Sequence, residues 1–279
     1  MPWEAVEPST RNFSAEKYPW ILKRAILFVF TKVILYKYMK KIIFFDTETT
    51  GNEPKKDFLC QIAYKTNNET FCELYKPLIP IPPEASAITH ITNKMVADKE
   101  AFQGSDGYKK IKEIFEHPNS VVVAHNAKFD LGIIAKEDIV PSNFICTLRV
   151  ARYLDKENVI PQYKLQFLRY YLDIDIEASA HDALGDVLVL EKLFERLLAK
   201  LMKEENIDQD KAIERMIEIS AKPSLMNLFN FGKHNGKTVA EVASMDRGYL
   251  EWMLAQKEQN PDNEEDWIYT LKHYLGKLV

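Results

Sequence analysis

Two acidic residues separated by one position, Asp46 and Glu48, follow an apolar run near the start of the chain. The run Ile42–Phe45 favours a central strand, and the two-residue period of a strand places both carboxylates on one face. Two acids at a buried strand end repel each other and lose hydration, so they need a compensating charge. A divalent cation with oxygen ligands supplies that charge. Such a pair is also typical of a solvated strand end, so it decides nothing alone.

A second acidic position follows another apolar segment. The β-branched run Val121–Ala124 predicts a buried strand, and the sequence H-N-A-K-F-D comes directly after it. Asn126 is expected to cap a helix there, which would put Asp130 in the first turn and on the side facing the strand end.

A third position opens a long predicted helix. His181 and Asp186 are five residues apart, and such residues are rotated by about 140° around a continuous helix. The two side chains therefore share a face only if His181 lies in the preceding loop, which the upstream pair Ser179-Ala180 makes reasonable.

These three segments carry a family resemblance. In order, F-D-T-E-T-T-G at Asp46 and Glu48, H-N-A-x-F-D ending at Asp130, and H-D-A-x-x-D at His181 and Asp186 resemble the three motifs of the DEDDh exonuclease family. The related subclass has a tyrosine four residues before the last aspartate, where this sequence has an aspartate, so the histidine form is present. The resemblance spans roughly residues 40–201 and implies an α/β, ribonuclease H-like mixed sheet flanked by helices.

The resemblance also implies a mechanism with two divalent ions, Mg²⁺ with Mn²⁺ able to substitute. Asp46, Glu48 and Asp186 are implied to hold the ion that activates water, and Asp46 with Asp130 the ion at the leaving 3′ oxygen. Two such ions, roughly 3.5 to 4 Å apart, serve an in-line displacement at phosphorus. His181 is implied as general base, a role suited to an unperturbed pKa of about 6.5.

The expected function is a 3′–5′ exodeoxyribonuclease that releases nucleoside monophosphates from DNA, preferring single-stranded 3′ ends, in repair or proofreading. A polymerase or repair complex is the expected protein partner. The alternatives are an exoribonuclease that trims RNA 3′ ends and a non-catalytic polymerase-accessory or nucleic-acid-binding module. The motifs do not choose between DNA and RNA, whereas the filled catalytic positions argue against a module without activity.

Several positions are candidate substrate contacts. Thr47 and Thr49 could offer backbone N–H or hydroxyl groups to the terminal nucleotide, and Asn126 is a further candidate. The segment 87–92 resembles the family's H-x-I-T-like loop, although Thr89 stands where the histidine is common. His90 is therefore expected either to contact a nucleotide or to lie at the surface.

Apolar periodicity predicts the elements that position these groups. Three consecutive strands are predicted to pair antiparallel, because a polar hairpin turn connects the second to the third, and they precede helices that alternate with strands. The predicted strands are 42–47, 59–65, 70–75, 121–124 and 144–146. Helices are predicted from 107, at 127–136, at 148–154, near 165–171, at 183–202 and at 208–220. The domains expected from this order are an extension at 1–38, an exonuclease domain at 39–204, a helix and linker at 205–224 and a small α+β domain at 225–279.

The small domain has a basic, glycine-punctuated turn between a predicted strand and a helix that starts at Val239. Lys233, His234 and Lys237 cluster in this turn, which could bind phosphate or could be an ordinary hairpin. The patterns F-G-K-H-x-G-K-T and D-R-G-Y-L-E-W resemble the C-terminal domain of exodeoxyribonuclease X-like proteins, which implies an auxiliary nucleic-acid-binding module. The core candidates of this domain are Phe229, Phe231, Leu250, Trp252, Trp267 and Tyr274.

Composition limits the partners and the compartment. The net charge of −4 gives no global basic signature, so a nucleic acid must be held by a local patch or through metal ions. Three cysteines without C-x-x-C spacing argue against a disulfide framework and fit a reducing cytoplasm. Basic residues interrupt the apolar stretch at 20–36, so stable membrane insertion is not expected, and 1–38 is expected to be an amphipathic accessory or an extension before a start at Met39.

Overall fold

The computed structural model describes residues 40–176, 182–259, 261 and 264–278. Lys41–Val279 forms one compact unit. The predicted extension at 1–38 and the predicted base His181 lie outside the described residues.

A mixed sheet organises this unit. Its strands are β1 (Lys41–Thr49), β2 (Leu59–Lys65), β3 (Thr70–Leu74), β4 (Ser120–Ala124) and β5 (Phe144–Cys146). They lie in the order β3-β2-β1-β4-β5. β1 pairs antiparallel with β2, and β2 with β3, while β4 runs parallel to both β1 and β5. The three predicted antiparallel strands are confirmed, and β1 with its two acids occupies the centre of the sheet.

Ten α-helices accompany the sheet within the described ranges. They are α1 (Pro83–Thr89), α2 (Asp106–Glu116), α3 (Lys128–Ala135), α4 (Thr147–Leu154), α5 (Leu165–Tyr171), α6 (Ala183–Glu205), α7 (Gln209–Ser220), α8 (Val239–Met245), α9 (Arg247–Gln259) and α10 (Glu265–Tyr274). The predicted alternation of helix and strand after β3 is confirmed. The Pro-rich segment before α1 permits a short helix because proline is tolerated in the first helical turn.

Successive residues of β1 enter different cores. The ring of Phe44 packs edge-on against Phe194 of α6, with centroids 5.3 Å apart. Phe45 packs on the opposite side of the sheet against Phe115 of α2, with centroids 5.0 Å apart. Because side chains alternate along a strand, the two acids of β1 share the face of Phe44 and are directed to α6.

The C-terminal helices α8, α9 and α10 enclose a separate core that includes the predicted residues Phe229, Leu250 and Trp267. Phe231 and Trp252 were expected in this core, but they are 39% and 58% exposed, so that prediction is wrong. Trp252 follows Leu250 by two positions, which turns it about 200° away on a helix.

The C-terminal domain begins with a short bridge and a capped helix. The predicted strand is reduced to a single bridge between Leu228 and Thr238. The predicted helix start at Val239 is confirmed, and a capping box fixes it, because Thr238 and Glu241 exchange side-chain to backbone hydrogen bonds.

Ion pairs connect this helical domain to the sheet domain. Arg149 of α4 is only 4% exposed and donates to the carbonyl of Ser220 at 2.8 Å. Its guanidinium also pairs with Glu265 at 2.7 Å and with Asp266 at 2.9 Å, both in α10. Lys128, the first residue of α3, pairs with Glu265 as well. The start of α10 is thus tied to two helices that pack on the sheet.

Two further properties concern the described residues as a whole. Cys60 and Cys146 are buried free thiols, as predicted, and Cys72 is partly buried and also free. Within the described ranges, no helix has the length and apolarity needed to cross a lipid bilayer.

Candidate active site

Three carboxylates converge where β1 meets α6. Ligand oxygens of Asp46, Glu48 and Asp186 all lie within 4.8 Å of one another. The first two project from one face of β1, and Asp186 lies in the first turn of α6. Asp182 caps that helix, because its carboxylate accepts from the backbone N–H of Gly185 at 3.3 Å. The predicted neighbourhood of these three acids is what the structure shows, and their catalytic roles stay predictions.

Asp130 joins the site from the other side of the strand. It lies in the first turn of α3 and is 3% exposed. Its Oδ1 accepts hydrogen bonds from the backbone N–H of Thr47 at 3.1 Å and from the Thr47 hydroxyl at 2.7 Å. The residue between the two acids of β1 therefore fixes the orientation of the fourth carboxylate.

Asn126 does not cap α3, so that prediction is wrong. The helix begins at Lys128 after Ala127, and no side chain caps it. Asn126 is exposed and adopts the left-handed conformation with φ of 61°. The tight turn between β4 and α3 imposes this conformation, which asparagine tolerates better than most residues. An exposed Asn126 leaves its predicted substrate contact as a prediction.

Burial and mutual repulsion control the protonation of the acids. Burial, with smaller contributions from Asp130 and Glu48, raises the pKa of Asp46 well above its ordinary value. Burial and the nearby Asp186 raise the pKa of Glu48 to about 8. The pKa of Asp130 rises to about 7 through burial, which outweighs the two hydrogen bonds from Thr47. Without a cation the cluster therefore keeps protons near neutral pH.

This cluster fits a divalent cation. The ligand atoms are carboxylate oxygens, which hard divalent ions prefer, and they already lie close enough to share one ion. The raised pKa values show that the acids lack a compensating positive charge, and a bound cation would supply it.

His125, the histidine of the second motif, has a structural role. His125 Nε2 donates to the carbonyl of Tyr163 at 2.6 Å, and Nδ1 lies 2.9 Å from the hydroxyl of Thr147. Burial lowers the pKa of His125 to about 4, so the ring is neutral at physiological pH. With both nitrogens used, His125 positions the turn before α3, and the general-base role stays a prediction for His181.

The hydroxyl groups of Thr47 and Thr49 in β1 form hydrogen bonds within the protein. Both donors of Thr47 go to Asp130, and the Thr49 hydroxyl donates to the carbonyl of Gly51 at 2.5 Å. Both residues are 6% exposed. They shape the strand end, and their predicted contact with a nucleotide stays a prediction.

His90 ends α1, a helix that lies against β1. It is exposed and left-handed, with φ of 59°, and its backbone N–H donates to Ser86 O at 2.9 Å. Both predicted roles, nucleotide contact and surface residue, are compatible with an exposed imidazole.

The basic turn of the C-terminal domain is partly neutralised. His234 is 5% exposed, and its Nε2 lies 2.9 Å from Oδ2 of Asp246. The contact of His234 with substrate stays a prediction. Lys233 pairs with the same oxygen at 2.7 Å, and Lys237 Nζ lies 3.5 Å from the sulfur of Met245. The run of the sequence without acids hid this pairing, because Asp246 reaches the turn only after α8 folds back.

Sequence reasoning also missed two glutamines. Gln166 of α5 donates from Nε2 to Oδ1 of Asp186. Gln61 of β2 lies opposite Glu48, and its Oε1 accepts from the backbone N–H of Ala183 at 3.2 Å. Gln61 could have been noticed in the sequence, because it is a polar residue inside the otherwise apolar start of β2.

Comparison with known proteins agrees with this geometry. The family model described as exonuclease matches residues 43–194, more than half of the chain, and that range holds all four carboxylates. The chain belongs to the exonuclease family. The activity predicted for it, a 3′–5′ exonuclease, and the fold class are thereby confirmed. A second family model, the exodeoxyribonuclease X-like C-terminal domain, matches residues 229–258 of this exonuclease.

Individual relatives cover most of this exonuclease. Exodeoxyribonuclease 10 of Escherichia coli strain K12 is 34% identical over 208 residues, which cover 72% of this chain and 83% of the relative. DNA polymerase III subunit epsilon of Treponema pallidum is 31% identical over 191 residues, covering 62% and 86%.

Solved structures show the same fold. The structure of exonuclease X in complex with 5′ overhanging duplex DNA aligns with a TM-score of 0.50 and 26% identity, over 64% of this chain and 99% of that one. Escherichia coli exonuclease I in complex with a dT13 oligonucleotide aligns with a TM-score of 0.51 and 21% identity, over 69% and 49%. At that identity the second likeness concerns the fold alone.

Proposed function

We propose that this exonuclease removes nucleoside monophosphates from the 3′ end of DNA and uses two divalent ions, Mg²⁺ with Mn²⁺ as a substitute. The observation that carries the proposal is the convergence of Asp46, Glu48 and Asp186 within 4.8 Å, inside the range of the family match. Three carboxylates so close together repel one another, and a bound divalent cation relieves that repulsion.

Each residue of the site has a distinct task in this proposal. Asp46, Glu48 and Asp186 would hold one ion, and Asp46 with Asp130 the second. The ions supply a Lewis acid at the scissile phosphate and lower the pKa of the attacking water. Thr47 keeps Asp130 oriented through two hydrogen bonds. His181 is proposed to take the proton of the attacking water, as the family resemblance implies.

DNA is the substrate that the relatives favour. The relatives named above include an exodeoxyribonuclease and a DNA polymerase subunit, and the solved exonuclease X carries DNA. We infer a role in DNA repair or replication, with a polymerase or repair complex as partner and the cytoplasm as location. With a net charge of −4, contact with the phosphates depends on the bound ions and on local cations.

The C-terminal residues 225–279 are proposed as an auxiliary nucleic-acid-binding domain after a helix and linker at 205–224. The match at 229–258 supports this division. Lys233, His234 and Lys237 are the candidate contacts, and His234 is the most buried of the three.

The proposal is tested with matched single strands of DNA and RNA that carry a label at the 5′ end or at the 3′ end. With Mg²⁺ we expect a ladder that shortens stepwise from the 5′-labelled DNA and immediate release of the 3′ label as a mononucleotide. Chelation of the metal should stop both. Faster degradation of RNA than of DNA would contradict the substrate assignment, and release of the 5′ label first would contradict the direction.

A further inference from the structure

One face of α5 extends from the carboxylate cluster to the protein surface. Gln166, Arg169 and Tyr170 are three and four residues apart, so they lie on the same side of the helix. Gln166 donates to Asp186, and Nη1 of Arg169 donates to Oε1 of Gln166 at 3.4 Å. The guanidinium carbon of Arg169 lies 5.4 Å from the centroid of the Tyr170 ring. The contacts thus run without a break from a carboxylate of the site to an aromatic ring.

The side chain of Tyr170 is largely exposed to solvent. Its exposed fraction is 76%, whereas Leu168 on the opposite side of α5 is fully buried in the core. The neighbouring Tyr171 has a structural environment, because its ring stacks on Phe167 with centroids 5.7 Å apart and its hydroxyl donates to the carbonyl of Val159 at 3.2 Å. Tyr170 therefore offers a ring face that the fold itself uses little.

Arg169 is held in place beside this ring. Besides its bond to Gln166, it donates through Nη2 to the carbonyl of Ile176. A guanidinium held beside an aromatic ring places a positive charge next to a surface on which a base can stack.

We infer that Arg169 and Tyr170 form a stacking platform for a base of the single-stranded substrate, on the 5′ side of the nucleotide at the carboxylates. The inference rests on the proposed function. The rise from Gln166 to Tyr170 is about 6 Å along the helix, which matches roughly two nucleotides of a stacked strand at about 3.4 Å each. Aromatic stacking accepts any base, so the platform holds the strand without reading its sequence.

The platform contributes only to substrates that are long enough to reach Tyr170. A dinucleotide at the carboxylates is too short to place a base on Tyr170 in this arrangement, whereas a longer strand reaches it. The platform therefore contributes to KM on the longer strand and leaves cleavage of a dinucleotide unchanged.

The experiment compares Tyr170→Leu with Tyr170→Phe, measuring kcat and KM on a dinucleotide and on a longer single strand of DNA. We expect Tyr170→Leu to raise KM on the long strand about fivefold or more, as for loss of one stacked base, with kcat and the dinucleotide unaffected. Tyr170→Phe keeps the ring and should behave like the unaltered enzyme. Leu78→Ala, which truncates another exposed apolar side chain, is the control for surface changes.

Three results would overturn the platform: an unchanged KM on the long strand, an equal defect on the dinucleotide, or an equal defect in Tyr170→Phe. Anisotropy of a labelled DNA strand, measured with the chelated protein, tests the platform without turnover. Weaker binding of Tyr170→Leu supports it and equal binding refutes it. If the unaltered enzyme degrades no nucleic acid, the proposed function fails, and the anisotropy still decides on the platform.

Discussion

At the scale of single residues, the chemistry of the site follows from where each carboxylate is placed. Asp46 and Glu48 are forced together by the strand period, and burial removes the water that would screen them. Asp130 is fixed by the amide and hydroxyl of Thr47. The acids therefore bind either protons or a cation, and pH decides between the two.

The first prediction concerns the pH dependence of metal binding. Because the pKa is about 8 for Glu48 and about 7 for Asp130, protons compete with the cation below these values. Across pH of about 6 to 9, the affinity for Mn²⁺ should rise by up to about tenfold per pH unit for each proton that the ion displaces while the pH is below these pKa values, and it should level off above them. Calorimetric titration across this range measures it. A constant affinity would contradict the protonated state of the metal-free site.

The same shifts set the stability of the metal-free protein. The folded chain holds the proton of Glu48 up to pH of about 8, whereas the unfolded chain releases it near the ordinary value of 4.5. Stability contributed by this protonated group is present below 4.5 and is lost as pH rises through 8. Glu48→Gln stays uncharged, so with a chelator present its melting temperature should fall less over this window than that of the unaltered chain.

Motif spacing located Asp46, Glu48, Asp130 and Asp186, because their positions at element ends are set by local sequence. The hydrogen bonds from Gln166 and Thr47 could not be predicted. They depend on side-chain directions and on how α5 and α3 approach the strand end, which no local pattern encodes.

At the scale of elements, the end of β1 is shaped by its pairing with β2 and by the turn that follows it. The pairing with β2 shifts register between Glu48 and Thr49, where Cys60 is the extra residue of β2. The following turn closes on Asp57, which accepts from the Thr50 hydroxyl at 2.9 Å and from the Glu53 amide at 2.8 Å.

The next prediction concerns the glycine of that turn. A Cβ on Gly51 would lie 2.5 Å from Oδ2 of Asp57, so Gly51→Ala must displace the carboxylate. We expect a loss of about 1–3 kcal/mol of unfolding free energy, the usual cost of overpacking, measured by urea unfolding. Gly248→Ala is the control, since a Cβ there meets nothing within 4 Å. If Gly51→Ala costs as much in an Asp57→Ala background, the proposed clash is wrong.

The strands and the long helices were predictable because apolar periodicity follows the buried faces they present. The turn between β4 and α3 was not predictable. Asparagine is common both as a helix cap and in the left-handed conformation that Asn126 adopts, so the sequence does not distinguish the two. The predicted C-terminal strand is not present as a strand, because Leu228 and Thr238 form an isolated bridge beside a turn in which Asp246 contacts His234.

At the scale of the whole molecule, Arg149 connects the C-terminal domain to the sheet domain. Its buried guanidinium pairs with two acids of α10, and Arg152 adds a second contact to Asp266 at 2.7 Å. The sequence predicted two domains and a linker but not this contact, because the partners are more than a hundred residues apart.

We predict that Arg149→Met loosens the C-terminal domain. The substitution leaves Glu265 and Asp266 without their buried partner, at a cost of about 2 kcal/mol, below the fully buried case because Glu265 is partly exposed. Limited proteolysis should cut residues 221–224, the part of the linker after α7, sooner than in the unaltered chain. Lys211→Met removes only an exposed pair with Asp208 and serves as the control. Equal protection of Arg149→Met and Lys211→Met would contradict this role.

The central claim is that metal-dependent cleavage from the 3′ end occurs at the cluster of Asp46, Glu48 and Asp186. The most direct measurement is the rate at which Asp46→Asn and Asp186→Asn shorten 5′-labelled single-stranded DNA in Mg²⁺, together with calorimetric binding of Mn²⁺. Asp210→Asn, an exposed acid in the first turn of α7, is the matched control. We predict that both site variants lose at least about a thousandfold in rate and bind Mn²⁺ weakly, whereas Asp210→Asn keeps both properties. Near-normal cleavage by either site variant would contradict the claim.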